Sequence, residues 1–340
     1  MAIVAEYYGL NLRRLRQNKI TRALVREVQV NRQSLVQPYF VVQGISSPQP
    51  VPGMKGVFRD SSESILRSIE SDLEAGQKSA LLFVVPAEKT KDSDLSSSAF
   101  DFGSQQIAAI KKRFGKDLWL SLDVCLCSST EHGHCGVLTE QQAQVNNHRS
   151  VQLLAEQSLC YAQAGADCIA PSDMMDGRVA AIRAALDRHE KDDVMIMSYA
   201  AKFQSAFYGP FREAASSAPK KRDDELRNRA TYQLDPASIS DALRCAERDV
   251  KEGADILMVK PGLAYLDVLH KLSREISYPW AVYQVSGEYA SLCALSDLGL
   301  TDLNRALLET WIAFTRAGAR MIISYAARDA NAVLAEGDLL

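Results

Sequence analysis

The chain has 340 residues, of which 47% are hydrophobic and 24% charged, a balance that excludes a disordered or fibrous protein. The formal net charge is -3 and no basic stripe is present, which argues against a nucleic-acid-binding protein. No apolar stretch approaches the roughly 20 residues that a membrane-spanning helix needs, and the N-terminus lacks a hydrophobic signal core. We therefore expect a cytoplasmic protein with no membrane partner. In such a chain, clustered cysteines indicate metal or redox chemistry rather than disulfides.

Eight apolar, β-rich runs recur along the chain and predict parallel strands. They are near-continuous rather than alternating, which is typical of strands that are covered on both faces. The runs are residues 34–42, 80–85, 118–125, 168–170, 194–198, 256–259, 280–285 and 321–325.

Stretches with helical spacing lie between most of these runs. The clearest are residues 61–76, 147–165, 237–253 and 301–318, each of which ends at a glycine suited to a left-handed C-cap. Similar Gly-Ala turns lead from three of them directly into the next strand. Repetition of the same helix-to-strand turn favours a (β/α)8 TIM barrel over an open doubly wound sheet. No G-x-G-x-x-G motif follows a strand, which further weakens the open-sheet alternative.

We expect residues 34–340 to form a single catalytic barrel and residues 1–33 to form an N-terminal arm. The arm is basic and only partly amphipathic. Two interpretations remain open for it: a mobile tail, or a segment that docks on another subunit.

Three cysteines follow the third predicted strand, where the loops of a barrel form its working face. Cys125 and Cys127 point the same way along an extended segment, and nearby glycines allow the loop to bring Cys135 close to them. Three thiolates suit zinc and leave one coordination position for water or substrate. His132 and His134 are possible fourth ligands, which would make the site structural. Three reduced, metal-free thiols are the remaining alternative.

Two lysines close consecutive predicted strands, the fifth and sixth. Lys260 ends the apolar run 256–259, and Lys202 follows the run 194–198. Because neighbouring strands lie about 4.8 Å apart, both amines can share one pocket. Burial and mutual repulsion together can lower a lysine pKa to near 7, at a cost of about 4.6 kcal/mol. A neutral amine of this kind can form a Schiff base with a ketone, whereas a solvated lysine would stay charged.

Several side chains near the later strand ends are candidates for binding an anion. Guanidinium groups bind carboxylates in a bidentate geometry, and hydroxyl groups complete such sites. Each of these residues alone is more often a surface arginine or a core tyrosine. The candidates are Arg212, Arg229, Gln233, Ser286 and Tyr325.

The sequence resembles the porphobilinogen synthases, also called 5-aminolevulinate dehydratases. The resemblance covers nearly the whole chain after the arm and is carried by seven stretches. These are DVCLC at 123–127, HGHCG at 132–136, APSDMMDGR at 170–178, SYAAK at 198–202, FYGPFR at 207–212, MVKPG at 258–262 and VSGEY at 285–289.

The resemblance implies a barrel with an arm, usually within a homo-octamer, that condenses two 5-aminolevulinate molecules to porphobilinogen. It implies that Lys260 holds the first substrate and Lys202 the second, each as a Schiff base. The three cysteines match catalytic zinc ligands, and Asp123 matches an acidic residue beside the metal. Ser286 and Tyr325 match the groups for one substrate carboxylate. The residues that match the groups for the other carboxylate are Arg212, Arg229 and Gln233.

The sequence also departs from the family pattern. The family usually has Gly-Asp-Arg before Tyr-Gln, whereas this chain has Arg-Asn-Arg at 227–229 after extra charged residues at 220–226. Strand two ends in Phe-Val-Val-Pro at 83–86 in place of Phe-Gly-x-Pro. Val250 stands where many bacterial members place a glutamate that binds an allosteric magnesium ion, so we expect no such site. Another lysine Schiff-base enzyme, such as an aldolase, and a non-catalytic relative are the alternative functions.

Overall fold

Eight parallel strands form a closed barrel in the computed structural model, which describes residues 12–141, 144–220 and 225–338. The barrel strands are β1 (Leu35–Val42), β4 (Ser79–Val85), β5 (Trp119–Val124), β6 (Cys168–Pro171), β7 (Met195–Lys202), β8 (Ile256–Lys260), β9 (Trp280–Tyr283) and β10 (Met321–Ile323). The short strands β2 (Gln49–Pro50) and β3 (Phe58–Asp60) form an antiparallel pair beside β1.

The last strand closes the ring on the first. Leu35 of β1 is in register with Ile322 of β10, and all other neighbours around the barrel are also parallel. The strands are almost wholly buried, as near-continuous apolar runs require. The predicted (β/α)8 barrel is therefore confirmed, with all eight predicted runs lying at barrel strands.

Helices that follow the strands pack around the barrel. They are α2 (Ser64–Glu74), α3 (Asp101–Phe114), α4 (Asn147–Gln163), α5 (Arg178–Arg188), α6 (Gly209–Ala214), α7 (Ile239–Lys251), α8 (Leu266–Glu275), α9 (Ser286–Asp297), α10 (Leu303–Arg316) and α11 (Ala330–Ala335). One further helix, α1 (Lys19–Leu24), precedes the barrel. None of the helices in the described ranges has the length and apolar composition to span a bilayer.

Local capping explains where the predicted helices begin and end. The side chain of Asn146 accepts a hydrogen bond from Arg149 N at the start of α4, and Asp302 does the same at the start of α10. After these two helices, Gly165 and Gly318 adopt φ values of +107° and +113°. Glycine is favoured there because L side chains rarely adopt these backbone angles.

The strand β7 is longer than its apolar run predicts. The predicted run ends at Ser198, whereas the strand continues to Lys202 across an irregularity in register between Ser198 and Ala201. As a result Lys202 is the last residue of β7 and is directly in register with Lys260 of β8. The two lysines are therefore cross-strand neighbours at the carboxyl end of the barrel.

Residues 12–24 of the expected arm bury none of their side chains, and Leu12, Ile20 and Leu24 are exposed. Residues 1–11 of the arm and residues 221–224 of the extra charged run lie outside the described residues. Val250, on α7, is partly buried against the hydrophobic core.

A fully buried ion cluster joins α5 and α7 behind strand β7. Arg178 Nη2 lies 3.1 Å from Asp249 Oδ2, and Arg178 Nε lies 3.7 Å from Asp173 Oδ2. Arg178 Nη2 also donates to the carbonyl oxygen of Tyr199, at 3.3 Å. Because Tyr199 is part of β7, this cluster fixes the strand that carries Lys202.

Replacing Arg178 with methionine should leave the buried Asp173 without its cation and Asp249 with only Arg248, whose Nη2 lies 2.9 Å from Asp249 Oδ1. We expect Arg178→Met to lower the free energy of unfolding by about 3–5 kcal/mol, measured by urea denaturation. Arg67→Met is the matched control, because Arg67 pairs with Glu63 on the surface, with side chains 61% and 80% exposed. Its effect should stay within about 0.5 kcal/mol. Equal losses in the two variants would contradict the buried cluster's role.

Candidate active site

The two lysine amines lie in a buried aromatic pocket at the barrel mouth. Lys202 and Lys260 are only 5% and 3% exposed. The ring centroid of Tyr199 lies 5.0 Å from Lys260 Nζ and 5.5 Å from Lys202 Nζ, so both amines share this ring. Lys260 Nζ also lies 4.0 Å from the ring of Tyr283 and 5.0 Å from that of Phe211. The structure thus brings the two sequence-predicted lysines together.

Burial, reinforced by the positive charge of Lys202, lowers the pKa of Lys260 to about 7. The Lys260 amine is therefore neutral in a large fraction of molecules near pH 7, as a nucleophile toward a ketone must be. Lys202 Nζ instead donates a hydrogen bond to the carbonyl oxygen of Ser172. The two amines thus differ in their immediate surroundings.

Asp123, on β5, is the carboxylate that faces this pair. Burial raises the pKa of Asp123 to about 6, although the positive charges of Lys202 and Lys260 act in the opposite direction. Its Oδ1 atom is buried and has no hydrogen-bond partner among the described residues, and the same holds for the hydroxyl of Tyr199. A carboxylate with a pKa in this range can accept or release a proton near neutral pH.

The three predicted cysteines form a compact buried cluster directly after β5. The Sγ atoms of Cys125, Cys127 and Cys135 all lie within 4.8 Å of one another, and Cys125 Sγ is 3.2 Å from Cys127 Sγ. Hydrogen bonds from the other two thiols lower the pKa of Cys127 well below its usual value. In the part of the chain that the structure describes, this is the one group of three such side chains that could hold a metal ion.

The two histidines of the same loop are engaged elsewhere. His132 Nε2 lies 2.9 Å from Asp92 Oδ1, and His134 Nδ1 lies 3.1 Å from the hydroxyl of Tyr232. His134 Nε2 contacts the carbonyl oxygen of Leu226 at 3.0 Å. This arrangement favours the three-thiol site over the alternative of a four-ligand structural site.

Three of the predicted anion-binding residues come from the segment between β7 and α7, which covers the thiol cluster. Arg229 is 3% exposed and donates through Nη2 to the carbonyl oxygens of Gly133 and Ser217, at 3.0 and 2.6 Å. The Nε atoms of Arg212 and Arg229 and both amide atoms of Gln233 are buried without a hydrogen-bond partner in the described ranges. Because unsatisfied buried polar groups are costly, these residues are suited to a polar ligand.

Ser286 and Tyr325 lie on the side of the pocket that contains Lys260. The hydroxyl of Tyr325 accepts a hydrogen bond from Tyr283, whose ring faces the Lys260 amine. Ser286 Oγ accepts from Phe211 N at 3.0 Å and donates to the carbonyl oxygen of Phe207 at 3.3 Å. Ser286 and Tyr325 thus bond to residues whose rings face the Lys260 amine, whereas Arg229 bonds to the loop that carries Cys135.

Five residues that contact the amines have no role in the sequence prediction. These are Ser172, Tyr199, Tyr208, Phe211 and Tyr283. All except Tyr283 lie in stretches that carry the family resemblance. The contacts form where separate strands meet at the barrel mouth, so the sequence indicated these four residues only through their place in those stretches.

The fold and the site together define a (β/α)8 barrel that is suited to amine–carbonyl chemistry beside a candidate metal site. A sequence model of the family described as Delta-aminolevulinic acid dehydratase matches residues 10–333. A relative with that name from Halalkalibacterium halodurans is 44% identical over 317 residues, covering 93% of this chain and 94% of the relative. The one from Bacillus subtilis is 41% identical over 327 residues, covering 95% and 98%.

A solved structure agrees with these relatives. The chain matches delta-aminolevulinic acid dehydratase (porphobilinogen synthase) from Toxoplasma gondii, crystallised with the reaction product porphobilinogen. The TM-score is 0.89 at 40% sequence identity, and the match covers 94% of this chain and 90% of the other. The chain therefore belongs to the delta-aminolevulinic acid dehydratase family.

The lowered pKa of Lys260 can be measured directly. We expect its reductively methylated, ¹³C-labelled amine to titrate by NMR near pH 7 rather than near the 10.4 of an ordinary lysine. The Lys260→Arg variant assigns the resonance by its loss. In Lys202→Met the midpoint should move to higher pH, because a neighbouring positive charge is removed. A wild-type midpoint near 10 would show that the pocket does not disfavour the charged amine.

Proposed function

We propose that this protein condenses two molecules of 5-aminolevulinate to porphobilinogen with loss of two waters, a step of tetrapyrrole (heme) synthesis. The observation that carries the proposal is the register pairing of Lys202 with Lys260 in one buried pocket. Two keto acids need two amines, whereas an aldolase-type reaction uses only one. The names of the relatives and the product in the Toxoplasma gondii structure support the same reaction.

In the proposed mechanism, the neutral amine of Lys260 attacks the ketone of the first substrate. Expulsion of the carbonyl oxygen as water leaves a Schiff base on this lysine. Lys202 holds the second substrate in the same way. Asp123, which faces both amines, accepts and returns the protons that these additions and eliminations move.

The carboxylates of the two substrates would bind at opposite ends of the pocket. We assign the first to Ser286 and Tyr325, because they bond to Phe211 and Tyr283, whose rings face the Lys260 amine. We assign the second to the segment that covers the thiol cluster, because its buried hydrogen-bond donors are suited to binding an anion. Its residues are Arg212, Arg229 and Gln233.

We propose zinc as the metal and Cys125, Cys127 and Cys135 as its ligands. Three buried thiols within 4.8 Å of one another fit the Zn–S distance of about 2.3 Å and leave one position open. A bound zinc ion would supply a Lewis acid that polarises the second ketone or holds its amino group. Burial acts to lower the pKa of the Arg229 guanidinium, but the nearby thiols outweigh it and raise this pKa, so Arg229 stabilises negative charge on the cluster.

We further propose that residues 1–33 form an arm that contacts other subunits of a homo-octamer. The exposed Leu12, Ile20 and Leu24 support a docking role over a mobile tail, because apolar side chains gain free energy when a partner covers them. Free thiols in the site also fit a reducing, cytoplasmic location.

The proposed function is tested by supplying 5-aminolevulinate and detecting the pyrrole with a colour reagent. Lys260→Ala and Lys202→Ala should each reduce kcat by more than about 100-fold, because each removes one covalent attachment point. Lys271→Ala is the control, since Lys271 lies on the surface beside Glu275 and should leave turnover unchanged. Full turnover in Lys202→Ala would reject the two-amine mechanism and favour a one-lysine enzyme.

Removal of the metal should abolish activity, and zinc should restore it. We expect one equivalent of zinc in the purified protein and its loss in Cys135→Ser, measured by metal analysis independently of activity. Cys160→Ser is the matched control, because Cys160 lies on α4 outside the cluster. Full activity in metal-stripped protein would contradict a catalytic metal.

A further inference from the structure

Glu288 is a buried carboxylate that the proposed reaction does not use. It lies in the first turn of α9 and is 3% exposed. No ion pair in the described ranges includes it, so its charge is not balanced by a basic side chain. Burial raises the pKa of Glu288 to about 7, while hydrogen bonds from backbone N–H groups act to lower it. Burying a carboxylate without a cation is costly, so the hydrogen bonds that Glu288 accepts must be important for its presence here.

The backbone groups that Glu288 accepts from belong to two separate loops. Oε1 accepts from Leu263 N at 2.7 Å, and Oε2 accepts from Val285 N at 2.9 Å and from Gly262 N at 3.4 Å. The first loop begins two residues after Lys260. The second leads directly into Ser286. One carboxylate therefore joins the loop behind the amine to the loop that precedes Ser286, the first residue of α9.

Only a carboxylate has the right chemistry for this junction. Both of its oxygens accept hydrogen bonds, whereas a glutamine would turn an NH2 group toward backbone N–H donors at one end. Hydrogen bonds to a charged acceptor are also stronger than those between neutral groups. The junction is therefore specific to glutamate rather than to any polar residue of the same length.

The backbone on both sides of this junction is packed too tightly to admit a side chain, at Gly262 in the first loop and at Gly287 in the first turn of α9. A Cβ atom on Gly262 would lie 2.6 Å from the ring of Phe314, and one on Gly287 would lie 2.7 Å from the carbonyl oxygen of Phe207. Both positions are restricted to glycine by this packing. The side chain of Glu288 supplies the direct bridge between the loops.

We infer that Glu288 is a positioning residue that sets the separation between the Lys260 amine and the Ser286 hydroxyl. This separation selects keto acids in which the carboxylate lies at one fixed distance from the ketone, as in 5-aminolevulinate. The inference rests on the function proposed above. Glu288 thereby positions the two groups that bind the ketone and the carboxylate of one substrate molecule, and it does not contact that molecule itself.

The test compares two ketones that differ only in the acid end. Borohydride trapping at subsaturating concentrations is followed by mass mapping of Lys260, with 5-aminolevulinate and with aminoacetone, which lacks the carboxymethyl group. In Glu288→Gln, trapping of 5-aminolevulinate should fall about tenfold or more, while trapping of aminoacetone should change less than about twofold. Equal losses for both ketones, or no loss for either, would overturn the inference.

A double-mutant cycle separates positioning from general support of the fold. Once Ser286→Ala has removed the hydroxyl, Glu288→Gln should cause little further loss of 5-aminolevulinate trapping. Fully additive losses would overturn the inference. If Glu288→Gln does not fold, Glu288→Asp keeps the charge but shortens the reach, and should lower the ratio of the two trapping rates in the same direction.

A buried carboxylate elsewhere in the molecule provides the matched control. Asp72, on α2, accepts a hydrogen bond from the Tyr39 hydroxyl and pairs with Arg328 at 3.1 Å. Asp72→Asn should lower the melting temperature but leave the ratio of the two ketones unchanged. Absence of both adduct and pyrrole in the wild-type protein would reject the proposed function. Normal wild-type activity with an unchanged ratio in Glu288→Gln would reject this inference alone.

Discussion

The structure depends on one constraint: two lysine side chains are held next to each other in a buried pocket. Lys202 and Lys260 are register partners on β7 and β8, so the parallel sheet itself enforces their proximity. Burial, reinforced by the positive charge of Lys202, opposes protonation of Lys260 and makes its amine a nucleophile at neutral pH. The rigid barrel and the Arg178 cluster behind β7 keep the pair from relaxing apart.

The surroundings of the pair contain buried polar groups that are suited to a bound ligand. Asp123, Tyr199 and Gln233 each bury a polar atom that has no hydrogen-bond partner among the described residues. Buried polar groups in proteins are normally hydrogen-bonded, so these atoms favour polar groups on a bound molecule. Two 5-aminolevulinate molecules carry two carboxylates, two ketones and two amines between them and so offer such groups.

Much of this arrangement follows from local sequence rules, and the rest does not. Apolar runs and C-cap glycines predict the barrel, because strand burial and the backbone angles at helix ends can be read from short stretches of sequence. The lysine pair follows from strand ends, but the irregularity after Ser198 that extends β7 to Lys202 depends on its partner strand. The roles of Tyr199 and Glu288 arise from contacts between distant segments, which neither periodicity nor spacing encodes.

The hydrogen bonds of Ser286 have one more consequence. Its single hydroxyl proton is given to the carbonyl oxygen of Phe207, and its oxygen receives the amide of Phe211 at the start of α6. If Ser286 binds the substrate acid group as proposed, that group replaces the carbonyl oxygen of Phe207 as the acceptor of this proton. Binding of the acid would then exchange one hydrogen bond within the protein for one to the ligand, while the bond from Phe211 N keeps the serine oxygen in place.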